Sequence, residues 1–401
     1  MVNHRTGVMD MTNKVKLRII YILMFFYAIY DVLNSASAGN ATDDRSRVYV
    51  FLFAVVVCLF IFCVRKRFLP NISIVMLPIL IAIYYVVDVC LIKGQTSWSV
   101  IVYFGLSAWW VLIIWFFYTT VSENIEAVYS IQNFVRIMFI LYSIAITYGA
   151  VNIATNYSVD YARVGYIYHL LAMLPIVLLD CNEKIKNIFL VIAIGLTIFS
   201  FKRGAILILP LMLMAYYLFN NNVSNKGKNI LKLIGIMVAL AVAWYVINRY
   251  SGGYLSSRFT RAELSDGSGR SDIWNAALEN VSQRNFVQLL FGIGGAGERK
   301  LWTGIHNEWI SFLYNNGIVG LMLFFAFILT IIRQAFVMIK CRSKLAGAYA
   351  ALVVFVLGVC MVSGFYHVHS TFYVMLFLGY TQGLLLYDNE TIDNTVESER
   401  K

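Results

Sequence analysis

Charge is scarce in this sequence: Asp, Glu, Lys and Arg make up 13% of its 401 residues, against 60% hydrophobic residues and a mean hydropathy of +0.73. That balance excludes an ordinary soluble domain, whose surface needs more polar groups. Short segments alternating apolar and polar residues are also lacking, which argues against a membrane β-barrel. The apolar runs are instead continuous, as helices in lipid require because every backbone N–H and C=O must be satisfied within its own segment. Cysteine is sparse and scattered: Cys58, Cys63, Cys90, Cys181, Cys341 and Cys360 lie within the apolar runs or at their ends, with the spacing of neither a disulfide framework nor a metal site. No small-residue cleavage site follows the first run, which begins near Leu17 after Lys14, Lys16 and Arg18, so it reads as a retained span. No internal repeat is evident. What remains is an all-α polytopic membrane protein.

About 20 helical residues cross a ~30 Å hydrocarbon core. On that scale the sequence predicts twelve transmembrane helices, at about 17–34, 47–64, 71–92, 98–118, 132–151, 163–179, 187–201, 204–219, 230–247, 309–332, 345–364 and 372–387. Between the seventh and eighth, the Lys202-Arg203 pair argues for two helices meeting at a polar turn rather than one long helix. Basic residues set the orientation. Arg5, Lys14, Lys16, Arg18, the Arg65-Lys66-Arg67 triplet, Lys184, Lys186, Lys226, Lys228, Lys232, Arg333, Lys340, Arg342, Lys344, Arg400 and Lys401 all fall on one side, which the positive-inside rule makes the cytoplasm, together with both termini. The net charge of +11 is thereby explained without nucleic acid. The chain reads as a single membrane domain, 1–401, with one long outer loop at 248–307 and a polar, disordered tail at 388–401.

The long loop is nearly neutral, with seven basic residues against five acidic ones. Within it, Ile273, Trp274, Ala277, Leu278 and Val281 share one face at helical spacing, predicting an amphipathic helix with Ser271 as its N-cap. Arg270, next to that cap, stands where a guanidinium and the free N–H groups of a helix start can grip a phosphate; the competing reading is a rim arginine paired with Asp266 or Asp272. Arg203, at an outer span end before Gly204 and Ala205, is a charge at membrane depth and so either faces a polar cavity or sits at headgroup level. Arg163 also opens an outer helix, where an interfacial anchor is the simpler account. The run FGIGGAG at 291–297 lacks the strand and helix context of a dinucleotide fingerprint and reads as a tight turn or an anion-holding nest.

Histidine is as rare as cysteine is scattered. Of the five, His4 is in the tail, His169 lies within a span, and His367 and His369 form an H-x-H pair that lacks further metal ligands nearby. His306 stands at the outer mouth of the tenth span, in IHNEW, either as a helix-capping residue or, with an ordinary pKa of about 6.5, as a base for a hydroxyl proton. Glu308 is placed to orient it or to replace it. The outer loops hold no Asp-x-Asp, which weakens a metal-dependent transfer from a nucleotide sugar.

The order SFKRGA at a span end, GRSDIWNAA and LFGIGGAG in the long loop, then IHNEWISFLYNNGIVGLM entering the next span, resembles the O-antigen polymerase and O-antigen ligase superfamily of bacterial inner membranes. The resemblance implies a periplasmic loop capping a cavity and an undecaprenyl-pyrophosphate-linked oligosaccharide as donor. It implies that Arg203 and Arg270 hold the pyrophosphate, with Arg163 and Lys202 as further contacts. His306 would take the proton of the acceptor hydroxyl, with no metal or cofactor. Lys202 departs from the family pattern, in which many members carry Ser or Thr before the arginine. The implied activity is a polymerase joining lipid-linked repeat units by a single inverting displacement. The alternatives are the ligase that moves the chain onto lipid A core, or a flippase of the same lipid-linked sugar. Implied partners are the lipid-linked oligosaccharide and membrane lipids, with a chain-length regulator protein as a candidate.

Overall fold

The computed structural model describes residues 11–34, 45–63, 72–87, 98–156, 161–179, 182–220, 226–260, 270–294, 305–365 and 370–399. Among these residues every regular element is a helix, in the order α1 (Met11–Asn34), α2 (Arg45–Cys63), α3 (Ile72–Val86), α4 (Trp98–Glu123), α5 (Glu126–Asn156), α6 (Tyr161–Gly165), α7 (Ile167–Val177), α8 (Glu183–Phe199), α9 (Arg203–Phe219), α10 (Lys226–Tyr250), α11 (Tyr254–Ser257), α12 (Arg270–Ser282), α13 (Phe286–Phe291), α14 (Glu308–Lys340), α15 (Ala346–Val362) and α16 (Ser370–Glu399). A helix lies at each of the twelve expected positions. By length and apolar composition alone, the described stretches Glu126–Ile153, Asn229–Tyr250 and Glu308–Lys340 suffice to cross a membrane, and shorter apolar helices accompany them.

Burial explains the arrangement. Every residue of α7 from Ile167 to Val177 is buried, as expected of a helix apolar all round and enclosed by others. Around it, α4 packs along α16 and α9 along α15. The first pair approaches closely because Gly379 and Gly383, four residues apart, offer no side chain where Cβ atoms would come within 2.5 Å of the Ile114 carbonyl and 2.7 Å of the Tyr118 carbonyl. Small residues at this spacing let backbones meet in a bundle that gains no hydrophobic drive from lipid. The α10 helix is peripheral: Leu231, Met237, Val238 and Val242 present bare apolar side chains outward.

Several expectations are corrected. The sixth span is two pieces, α6 and α7, separated at Tyr166. In the loop helix, Leu278 lies off the buried stripe at 43% exposure, while Ala277 and Val281 join a small core with Ile305 and Tyr314. Ser271 is not the cap, because the helix already begins at Arg270. The last helix runs on to Glu399, so the segment expected to be disordered is helical from 388 to 399; after Gly383 no Gly or Pro interrupts it. The turn between α8 and α9 is as expected: α8 ends at Phe199, Phe201 adopts φ 55°, and α9 starts at Arg203.

Candidate functional site

Four segments converge where α9 begins. The first is the α8–α9 turn, closed by the Ser200 hydroxyl, which donates to the Thr197 carbonyl at 2.7 Å and accepts from the Lys202 N–H at 3.3 Å. Gly204 lets this corner close onto α15, since a Cβ there would sit 2.5 Å from Val362. The second is the corner after α10, where Arg203 Nη1 donates to the Arg258 carbonyl at 3.2 Å. The third is the start of α12, where Arg270 Nη1 donates to the Val362 carbonyl at 2.7 Å. A guanidinium on the last carbonyl of α15 both satisfies an orphan acceptor and complements the negative end of the helix. The fourth is the entry to α14. There Trp274 Nε1 holds the Ile305 carbonyl at 2.7 Å, and Asn307 caps α14 by accepting from the Ile310 N–H at 3.2 Å.

His306 is therefore not the cap. It lies between two pinned residues with φ 52°, a conformation uncommon outside glycine, and the residue is open to solvent on one side while protein crowds its ring on the other. Such a conformation persists only where neighbours over-determine it, as Trp274 and Asn307 do here. Asn307 also reaches the Met361 carbonyl at 3.5 Å, and buried Glu308 accepts the Phe365 N–H at 2.6 Å. Arg270, Asn307 and Glu308 thus all grip the end of α15. That bond gives Glu308 a positioning role, tying α14 to the chain after α15.

The electrostatics of the corner have one sign. Burial first, then the guanidinium groups of Arg270 and Arg258, pull the Lys202 ammonium down from 10.5 to about 8. Burial first, then Arg270 and Lys202, hold the His306 imidazole below its usual 6.5. The Arg270, Arg258 and Lys202 charges named here are all cationic. Like charges raise the cost of the protonated forms. The result is a neutral imidazole beside several cations at neutral pH, an arrangement that an anion of high charge density would relieve.

Of the residues expected from sequence, Lys202, Arg203, Arg270 and His306 come together. Arg163 does not join them: it is buried, its Nε lies 3.4 Å from the Val32 carbonyl, and its guanidinium stacks 4.7 Å above the Tyr148 ring. His367 and His369 lie outside the described residues. Among the described residues no three His, Cys, Asp or Glu side chains cluster as metal ligands would. Arg258 is the cation that sequence reading missed; in SSRFTR it carries no local signal, being one of seven basic residues in a nearly neutral loop.

Of the two tasks read from the glycine run, a tight turn or an anion-holding nest, its described part forms a turn, with positive φ at Gly292 and Gly294. Within α14, Gly317 breaks the helix at φ 68° and ψ −166°. The loop after α13 crosses it there: a Cβ on Gly317 would lie 2.4 Å from the Leu290 carbonyl, and one on Gly292 2.2 Å from the Asn315 carbonyl. A broken helix leaves carbonyls unpaired, and three are taken up. Arg284 Nη1 donates to Tyr314 at 2.5 Å, Gly294 N–H to Asn315 at 2.7 Å, and the Tyr84 hydroxyl to Asn316. Gly294 N–H is thereby spent on the protein rather than offered to an anion. This knot lies about three helical turns beyond His306, on the helix that His306 precedes.

Residues 188–325 match the family described as O-antigen ligase. No curated protein matches the chain. The matched segment contains Lys202, Arg203, Arg258, Arg270 and His306, together with the crossing at Gly292 and Gly317. With its apolar helices it indicates a membrane protein, and over this third of the chain the protein is similar to the O-antigen ligase family.

Proposed function

We propose that the protein is a polysaccharide polymerase joining undecaprenyl-pyrophosphate-linked oligosaccharide repeats at the outer face of a bacterial inner membrane, with twelve spans and both termini in the cytoplasm. The observation that carries this reading is the cationic corner: Arg270 and Arg258 act on Lys202, Arg270 and Lys202 act on His306, and Arg203 is bonded to the Arg258 carbonyl. A lipid pyrophosphate is the leaving group that suits such a corner. Charge grows on it as the glycosidic bond breaks, and cations fixed in advance stabilise that growth without reorganising.

The acceptor hydroxyl attacks the anomeric carbon of the donor. His306, neutral at pH 7 because its pKa is held down, takes the hydroxyl proton as the new C–O bond forms and the bond to the lipid pyrophosphate breaks. The electron pair of that bond leaves with the pyrophosphate, and one displacement inverts the anomeric centre. An arriving pyrophosphate offsets the field of Lys202 and Arg270, so the imidazole becomes a stronger base when the donor is in place. Most of the protein's contribution is positioning and electrostatics. Glu308 serves by fixing the His306 segment against the end of α15.

The ligase reading stays beside this one because the matching family is described by that activity. Deleting the gene in its native host and complementing with wild type, Arg270→Ala or His306→Ala decides between them on a gel of surface polysaccharide. A polymerase deletion leaves core bearing a single repeat; a ligase deletion leaves bare core and lipid-linked polymer. Full ladders from both substituted proteins would overturn the site.

A further inference from the structure

A groove of about 680 Å³ runs between α5 and α8. The two helices touch lower down, where the Phe139 and Phe189 rings meet edge to face with centroids 5.2 Å apart. Above that contact they part, and Ile144, Tyr148 and Val151 of α5 face Val191, Gly195 and Leu196 of α8 across the gap. Of the three hydroxyl-bearing residues in the lining, Ser143 donates to the Phe139 carbonyl at 2.7 Å and Thr147 to the Ser143 carbonyl at 2.8 Å, and the third is Tyr148. The groove therefore offers an occupant a mainly apolar surface, with both aliphatic hydroxyls turned to the backbone.

Its two ends differ. The lower end is closed by the phenylalanine pair. The upper end lies under positive charge, with the Arg163 guanidinium over Tyr148 at 4.7 Å on the α5 side. On the α8 side, Leu196 precedes Lys202 by six residues, and α8 leads directly into the turn that carries Lys202 and Arg203. From Ile140 to Val151 the groove follows α5 for about 16 Å, at 1.5 Å per helical residue. A long hydrocarbon chain with an anionic head matches both features, the chain in the apolar cleft and the head at the cations.

We propose that this groove holds the polyprenyl chain of the lipid-linked donor, descending along α8 from a pyrophosphate held at Lys202 and Arg203. This rests on the donor reading above. It adds a binding site for the lipid and gives Arg163, which stands apart from the reacting centre, a place at the mouth of the groove. Gly195 is the position that opens the cleft: a Cβ there meets nothing within 4 Å, so a larger side chain fills the groove without displacing a neighbour.

The test uses the full chain in lipid nanodiscs, carrying His306→Ala so that no turnover is needed, and a polyprenyl pyrophosphate with a diazirine in its chain. Photolabelling is mapped by peptide mass spectrometry. The expected labels fall on residues 140–151 and 191–196, drop at least fivefold with Gly195→Leu, drop less with Gly195→Ala, and survive excess phosphatidylglycerol. Labels elsewhere, insensitivity to Gly195→Leu in protein of unchanged thermal stability, or equal displacement by phosphatidylglycerol would overturn the proposal; the last would make the groove an ordinary phospholipid site. The two readings fail separately. Groove labelling with surface polysaccharide still made by His306→Ala would sink the catalytic reading alone, whereas loss of polysaccharide without groove labelling would sink only this one.

Discussion

Two arginines flank the loop helix α12, and they show how differently one residue type is used. Arg284, just past its end, is occupied: two of its nitrogens reach the Asn280 carbonyl oxygen of the side chain at 3.0 and 3.3 Å, a third holds the Tyr314 carbonyl, and its plane lies 4.4 Å above the Tyr314 ring. Arg270, at the start, gives one bond to the Val362 carbonyl and exerts its field on Lys202 and His306. The first arginine closes a structural knot. The second keeps charge directed at a space shared with other cations. Residue type and loop are alike, so only the partners separate the structural arginine from the one proposed to face the substrate.

The largest expected effect comes from removing that directed charge or the base beside it. His306→Ala and Arg270→Ala should each lower polymer formation by about 10²-fold or more, in the range for a general base or a preorganised electrostatic donor, with protein amount and thermal unfolding near wild type. Next is the knot. Gly317→Ala forces a side chain onto the Leu290 carbonyl at positive φ and should cost roughly 1–3 kcal/mol of stability or more, seen as reduced folded protein at fixed expression. Arg284→Ala leaves the buried Tyr314 carbonyl without its donor, costing about 1–3 kcal/mol; its activity per folded molecule should stay close to wild type. If Arg284→Ala instead abolished turnover in fully folded protein, the contrast between the two arginines would fail.

Much of this was legible beforehand, and the parts that were not share a cause. The Lys202-Arg203 turn was readable because a charged pair inside an apolar run has few places to go. His306 stood out as a histidine in the short polar HNE stretch just ahead of a span. Arg258 was not, because its role depends on Arg203 reaching its carbonyl across 55 residues of sequence. The break at Gly317 was hidden too: NNG within an apolar run is compatible with an unbroken helix until the loop around Gly292 crosses it. The bond from the Phe365 N–H to Glu308, 57 residues away, was equally hidden, because only sequence proximity to His306 is visible in the chain. Local pattern gives helices and their ends, whereas long-range partners decide which polar side chains remain for chemistry.

The smallest effect is a pH dependence. With the Lys202 ammonium at about 8 in the empty site, donor binding that needs its charge should weaken as pH rises through 8, because the free site then must first take up a proton. Lys202→Arg, whose charge persists, should flatten that slope between pH 7 and 9. An unchanged slope would remove Lys202 from the pyrophosphate contact.

The most direct measurement is the affinity of undecaprenyl pyrophosphate for the purified protein in nanodiscs, compared among wild type, Arg270→Gln and Arg284→Gln at one salt concentration. A lost hydrogen bond to a charged group corresponds to roughly tenfold or more, so Arg270→Gln should weaken binding by at least that factor while Arg284→Gln binds as wild type does. Equal affinities for all three, in proteins of matched folding, would contradict the claim that the corner of Lys202, Arg203, Arg258, Arg270 and His306 is the pyrophosphate site.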